Sequence, residues 1–226
     1  MTTYILIPGA GGAAWYWHRL VPLLQQRGHE AIAVELPAGD DSAGLQEYAD
    51  TVVGAAGQRE DLVLVAQSMG GLTAPLVCAR LPVSRLVLVN AMIPAPGETA
   101  QDWWTNTGQD QARRECDLRE GRSPDGPFDP LVYFFHDVPE EITKEAMAGE
   151  PPQSGTPFGQ PWPLDAWPDV PTEVLSSRED RLFPVDFQIR TAQQRLGLTP
   201  ETLPGGHLVA LSQPEALAAA LERPTA

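Results

Sequence analysis

Leu62-Val63-Leu64-Val65-Ala66-Gln67-Ser68-Met69-Gly70-Gly71 is the stretch that decides the fold. An apolar run ends at Ser68, and two glycines follow at once. That is how a strand hands over to a helix through a very sharp turn. A serine on such a turn is pushed out of the sheet edge in a strained conformation, with its hydroxyl exposed. The consensus for this nucleophile elbow is G-x-S-x-G. Ala66 replaces the first glycine and keeps the small size the position needs, two residues before the serine, where the chain packs close to the turning backbone.

A structural turn would account for the elbow taken alone, so the rest of the chain has to decide. An elbow nucleophile needs an acid and then a base downstream, in the order Ser, Asp or Glu, His. Of the four histidines, His18, His29, His136 and His207, only His207 lies near the C-terminus in a turn, Pro204-Gly205-Gly206-His207-Leu208. Upstream, Val174-Leu175-Ser176-Ser177 reads as a strand ending at Arg178-Glu179-Asp180-Arg181. Asp180 is the expected acid, because Leu182-Phe183-Pro184 anchors the loop just after it; Glu179 is the competitor. All three groups then fall beyond the carboxyl ends of strands, where such sheets carry their chemistry.

Working outward, strands are expected at Tyr4–Ile7, Ala31–Val34, Leu62–Val65 and Arg85–Val89. Helices are expected at Trp15–Arg27, with Trp15, Leu20, Leu23 and Leu24 on one face, at Leu45–Ala56 and at Gly70–Arg80. This alternation implies a parallel sheet covered by helices on both faces. From Ala91 to about Asp169 no strand is recognisable, and the segment is rich in proline and aromatic residues. A structureless loop of that length is implausible in a compact domain. It is read as a mostly helical cap, with helices near Thr99–Glu120 and Glu140–Ala148. The rhythm resumes with strand Thr172–Ser176, helix Val185–Leu196, strand Thr199–Leu203 and a final helix over Pro214–Leu221. The expected organisation is therefore a core of residues 1–90 and 170–226 with an inserted cap at 91–169.

Composition narrows the function classes. The chain has 226 residues, 42% of them hydrophobic, enough for a sizeable core. A net charge of −15 leaves no basic patch for nucleic acid and gives weak attraction to anionic membranes. The two cysteines, Cys78 and Cys116, are too few for a disulfide scaffold, and Cys78 is expected as a buried free thiol. No apolar run approaches the roughly 20 residues that span a bilayer. The N-terminus enters a strand without a signal-like leader, so a cytoplasmic location is expected.

In the expected chemistry His207 removes the Ser68 proton and returns it to the leaving group, with Asp180 holding the imidazole in the useful tautomer. A tetrahedral intermediate needs two backbone N–H donors. Met69, just after the nucleophile and at a helix start, is one. Ala10, in the loop Pro8-Gly9-Ala10-Gly11-Gly12-Ala13, is the other. The rival reading of that loop as a phosphate cradle fails, because Ala14 stands where the third glycine of G-x-G-x-x-G would be. No two histidines sit at ligand spacing, so neither a metal nor another cofactor is expected. Gly9 and the cap aromatics Trp103, Trp104, Phe134 and Trp162 are the expected substrate contacts, although packing of the cap on the core is expected to account for more than half of the cap aromatics. The expected partner is a small-molecule substrate, apolar or aromatic, and an exposed cap could support a homodimer.

These residues resemble the alpha/beta-hydrolase superfamily, and within it the branch of plant methylesterases and hydroxynitrile lyases with small bacterial relatives. The resemblance is carried by Pro8-Gly9-Ala10 with Trp15 and Trp17, Ser68-Met69-Gly70-Gly71, Glu179-Asp180-Arg181-Leu182-Phe183-Pro184, and Gly206-His207. The superfamily usually has His-Gly where this chain has Pro8-Gly9. The chain begins at what resembles the third strand of an eight-stranded sheet, which implies about six strands. Hydroxynitrile lyases of this branch carry a threonine at the position of Gly9 and a lysine at that of Leu208; their absence here matches the esterase members. The resemblance thus implies hydrolysis of a carboxylic ester, thioester or lactone, with triad-based lyase or acyl-transfer chemistry, or non-catalytic ligand binding, as the alternatives.

Overall fold

Strand β1 (Thr3–Ile7) lies one strand in from an edge of the sheet, and the chain then builds outward on both sides of it. The other strands are β2 (Glu30–Ala33), β3 (Leu62–Gln67), β4 (Val83–Val89), β5 (Thr172–Ser177) and β6 (Glu201–Leu203). They lie in the order β2-β1-β3-β4-β5-β6, and every neighbouring pair is parallel. The computed structural model describes residues 1–149 and 152–223. Residues 150–151, within the expected cap, and 224–226, at the end of the expected core, lie outside it.

The central strands are buried along their whole length, which is why they read as apolar runs without alternation. Successive side chains still point to opposite faces. Ile5, Ile7, Leu64, Leu86 and Leu88 enter one core cluster, while Tyr4, Leu6, Val63, Val65, Val87 and Val89 enter the other. The first cluster packs under α2 (Leu45–Ala56) and α3 (Gly70–Cys78), and the second under α1 (Val21–Gln26) and α11 (Pro214–Leu221). Between β4 and β5 run α4 (Ala100–Thr107), α5 (Gln109–Arg119), α6 (Pro130–Tyr133), α7 (Glu140–Ala148) and α8 (Thr156–Gly159), with no strand among the described residues. Helix α9 (Val185–Leu196) follows β5, and the short α10 (Val209–Ser212) follows β6.

Several expected elements differ in detail. The helix expected over Trp15–Arg27 is a 3-10 turn at Ala14–Trp17 followed by α1, with Pro22 in the first turn, where a missing N–H is harmless. The tighter turn sends Trp17, not Trp15, into the core. The helix expected over Thr99–Glu120 is two, broken at Gly108, which adopts a left-handed φ of 68°. Strand β6 starts two residues later than expected, after Pro200, which has no N–H for a ladder. Cys78 is only half-buried, at the last turn of α3.

The segment between β4 and β5 is tied firmly to the sheet layers. The Trp162 indole donates to Leu72 O at 3.1 Å, the Trp15 indole to Glu145 Oε1 at 2.9 Å, and the Leu45 N–H to Gln160 Oε1 at 2.8 Å. Glu98, nearly closed to solvent, accepts a bidentate pair from Arg195 on α9 at 2.7 and 2.8 Å. Burial pushes the Glu98 carboxyl upward, but hydrogen bonds from Arg195, Asn106 and the Ala95 N–H outweigh it and hold the group below its ordinary value of 4.5. A carboxyl lowered by folding contributes stability above its unfolded pKa and loses it as the pH falls through the folded one. Arg195→Met, which strands a buried charge, is expected to cost about 3 kcal/mol at pH 7 in urea unfolding. The gap from wild type is expected to shrink as the pH is lowered through the depressed Glu98 pKa.

Candidate active site

The chain doubles back over β1 to reach β3, so β1 and β3 are neighbours whose following loops diverge. In open parallel sheets that crevice is where ligands bind. Ser68 sits at its edge with φ of 50°, a left-handed conformation that a non-glycine residue rarely adopts. Its backbone is held on both sides: Ser68 N–H donates to Val89 O at 3.2 Å, and Ser68 O accepts from Gly71 N–H at 3.1 Å and Met92 N–H at 2.9 Å. The two glycines that follow are required by contact. A Cβ on Gly70 would lie 2.9 Å from Pro8 O, and one on Gly71 would drive into the Met92 carbonyl. Ala66 is fully buried, in keeping with the small residue expected there.

The loop after β6 brings His207 to Ser68, and the loop after β5 brings Asp180 to His207. His207 Nε2 lies 3.1 Å from Ser68 Oγ, and Nδ1 lies 2.8 Å from Asp180 Oδ2. An ionised carboxylate only accepts, so Nδ1 carries the proton and Nε2 presents its lone pair to the serine hydroxyl. Asp180 and His207 are both closed to solvent. Asp180 Oδ1 accepts the N–H groups of Leu182 and Phe183 at 2.9 and 2.8 Å, and Gln188 Nε2 donates to Oδ2 at 3.2 Å. The competing Glu179 is turned away, half-exposed, and accepts the Gly205 N–H.

Gly9 runs directly beneath the serine: a Cβ there would stand 2.9 Å from Ser68 Cβ and collide with the Gln67 amide. Ala10 is exposed at the same edge, and Met69 caps α3. Among the described residues, neither the Ala10 nor the Met69 N–H donates to another protein group. Both are therefore free for a ligand oxygen.

The expected aromatic contacts divide. Phe134 lies 5.4 Å from the His207 ring, and Phe183, which the sequence reading had only as a loop anchor, lies 5.1 Å from it, edge-on. Trp104 is half-buried against Phe183. Trp103 and Trp162 are corrections. They are 1% and 2% exposed, packed on Phe187 and Trp167, with their indole N–H groups spent on Ile93 O and Leu72 O. No ring surface is left to them for a ligand.

The residues that fix the His207 loop escaped the sequence reading. Asn90, fully buried at the end of β4 with φ of 46°, donates to Gly206 O and His207 O at 3.2 and 3.1 Å and accepts the Ser177 N–H at 2.7 Å. Gln67 donates to His207 O at 3.3 Å. The pair His136-Asp137, from the segment between β4 and β5, packs on the loops after β6 and β5: Asp137 accepts the Gly206 N–H at 2.6 Å and His136 Nε2 is 3.0 Å from Glu179 O. A polar residue closing an apolar strand, as in Leu88-Val89-Asn90, is a signal that could have pointed to Asn90. Gln188 and Asp137 carry none. Asn90→Leu leaves Gly206 O and the Ser177 N–H unpaired and His207 O with Gln67 alone, and is expected to lower unfolding free energy by about 2–4 kcal/mol, read by chemical denaturation.

Among the described residues, no three His, Cys, Asp or Glu side chains gather as a metal site, and no helix is long and apolar enough to cross a membrane.

The model of the alpha/beta hydrolase family matches residues 4–220. The chain belongs to that family. This alpha/beta hydrolase is 33% identical over 132 residues to esterase PIR7B of Oryza sativa subsp. japonica, covering 51% of this chain and 49% of that one. It thus spans about half the length of that rice esterase. It is 25% identical over 246 residues to an alpha-hydroxynitrile lyase of Arabidopsis thaliana, covering 95% and 93%. Its fold superposes on the crystal structure of polyneuridine aldehyde esterase with a TM-score of 0.78, at 22% identity over 98% of both chains. The plant esterase and hydroxynitrile lyase branch named on sequence grounds is therefore represented among its relatives.

Proposed function

We propose that this alpha/beta hydrolase is a cofactor-free serine esterase working through an acyl-enzyme. The observation that carries the reading is the unbroken chain Ser68 Oγ, His207 Nε2, His207 Nδ1, Asp180 Oδ2, with links of 3.1 and 2.8 Å. Ser68 attacks the ester carbonyl as His207 takes its proton. The buried Asp180 carboxylate stabilises the imidazolium, while the Ala10 and Met69 N–H groups hold the oxyanion. His207 then protonates the leaving alcohol, and water, deprotonated by the same imidazole, releases the acid. The substrate class is a small to medium carboxylic ester, thioester or lactone. Its apolar or aryl part is received by Phe134, Phe183 and Trp104 beside the imidazole.

One observation weighs against cyanohydrin cleavage as the main activity. The positions at which hydroxynitrile lyases of the resembling branch place threonine and lysine hold Gly9 and Leu208. Gly9 has no room for any side chain under Ser68, so no hydroxyl can be supplied from there.

Treatment with a fluorophosphonate, followed by intact-mass measurement, tests the assignment. A single adduct is expected on wild type and none on Ser68→Ala, with ester hydrolysis by that variant lower by about 10⁴-fold or more. Labelling or turnover that survives in Ser68→Ala would sink the reading. Asp180→Asn keeps the shape but presents the wrong tautomer to the serine, and kcat is expected to fall about 10³–10⁴-fold with little change in KM.

A further inference from the structure

Residues 152–156 run along the loop that follows β2, beside the loop that follows β1. Pro152 packs on Gly39, the Ser154 N–H donates to Ala38 O at 2.7 Å, and Thr156 Oγ1 donates to Asp41 O at 2.8 Å. Between these anchors lies Gln153. Its Oε1 accepts the Gly11 N–H at 2.7 Å, and its Nε2 donates to Tyr48 Oη at 3.2 Å and Ser154 O at 2.8 Å. Two acceptors around Nε2 and a donor at Oε1 fix which way the amide points, since the flipped amide would set N–H against N–H. Tyr48, fully buried on α2, supplies a rigid base.

The loop after β1, so clamped, is intrinsically loose. Three of the four residues Gly9-Ala10-Gly11-Gly12 lack a side chain, and Gly11 and Gly12 sit at φ of 85° and 64°. Beyond Gln153, its hydrogen bonds among the described residues are the Gly12 N–H on Gly9 O at 3.1 Å and the Leu36 N–H on Gly12 O at 2.9 Å. The first closes a tight turn and holds Gly9 O, which lies in the same peptide as the Ala10 N–H, but neither bonds directly to the peptide that joins Ala10 to Gly11. The bond from Gln153 does, and so it restrains the torsions on the other side of Ala10.

We infer that Gln153 is a positioning residue which, from the inserted segment, aims the Ala10 N–H at the developing oxyanion. The inference rests on the esterase reading above. A donor displaced from an oxyanion by a fraction of an ångström loses much of its value, because the site is useful only when its dipoles are already aimed. The inserted segment thereby completes the oxyanion hole as well as covering the site.

Gln153→Leu removes the acceptor at nearly constant size. With a p-nitrophenyl ester, kcat is expected to fall about tenfold with KM within about twofold of wild type. Affinity for an aryl trifluoromethyl ketone, whose hemiketal oxygen occupies the oxyanion position, is expected to fall by the same factor. A purely structural role would lower the melting temperature and leave both readouts alone. Unchanged kcat and unchanged ketone affinity in the folded variant overturn the inference. Should Gln153→Leu fail to fold, Tyr48→Phe, which removes the hydroxyl orienting the amide, is expected to shift both readouts the same way by about threefold; no shift there overturns it equally. Ser68→Ala separates the two levels. If that variant is inactive while Gln153→Leu behaves as wild type, only the role of Gln153 fails; if Ser68→Ala is active, the esterase reading fails beneath it.

Discussion

The left-handed backbone at Ser68 is the constraint around which the rest of the molecule is arranged. A non-glycine residue there costs of order 1–3 kcal/mol, and it persists only where its surroundings over-determine it. Here they do so from three sides. The last residue of β4 supplies the acceptor for its N–H, the loop after β4 supplies a donor for its carbonyl, and the first turn of α3 closes on that same carbonyl. The two glycines are the price of bringing α3 against the backbone of the loops after β1 and β4. Releasing the strain would swing the hydroxyl away from His207, so the geometry that raises the energy of the backbone also orients the oxygen.

Around this point the polar groups are arranged in tiers. Ser68, His207 and Asp180 form the inner chain. Asn90, Gln67 and Gln188 then hold the backbone or the carboxylate of the inner residues, and Asp137 holds Gly206 beside His207. Buried polar groups are stable only when satisfied, and each of these side chains satisfies a carbonyl, an N–H or a carboxylate oxygen that the sharp loops leave without a partner. The outer groups come from β3, β4, α9 and the segment between β4 and β5. The site is thus a product of the whole sheet edge and not of three residues.

How much of this could be read from the chain follows from the range of the interactions. The elbow, the C-terminal histidine turn and the uninterrupted apolar strands are local patterns, and Leu45–Ala56, Val185–Leu196 and Pro214–Leu221 fall where their periodicity puts them. Asp180 was separable from Glu179 through the apolar anchor that follows it. The break at Gly108 and the 3-10 turn at Trp17 were missed because helical spacing hides a change of axis. The buried indoles were missed for another reason. Trp103 and Trp162 look like pocket walls in a proline-rich segment, and only tertiary packing shows that their rings and N–H groups are consumed. Gln153 and Asp137 have no local signature at all, since each acts on a loop more than sixty residues away.

The distance along the chain between Ser68 and His207 has a consequence for synthesis. The two lie 139 positions apart, and Asp180 enters between them. Loops of that size close slowly, and domains grow from the N-terminal end on the ribosome. The elbow, with β1, β3, α3, β4 and the loop after β4, can form while the chain still lacks its imidazole. On the proposed esterase reading, a nascent chain therefore carries an unactivated hydroxyl through most of its translation, and acquires a nucleophile only once β6 has paired with β5 and delivered the last loop. Timing of reactivity is written into strand order.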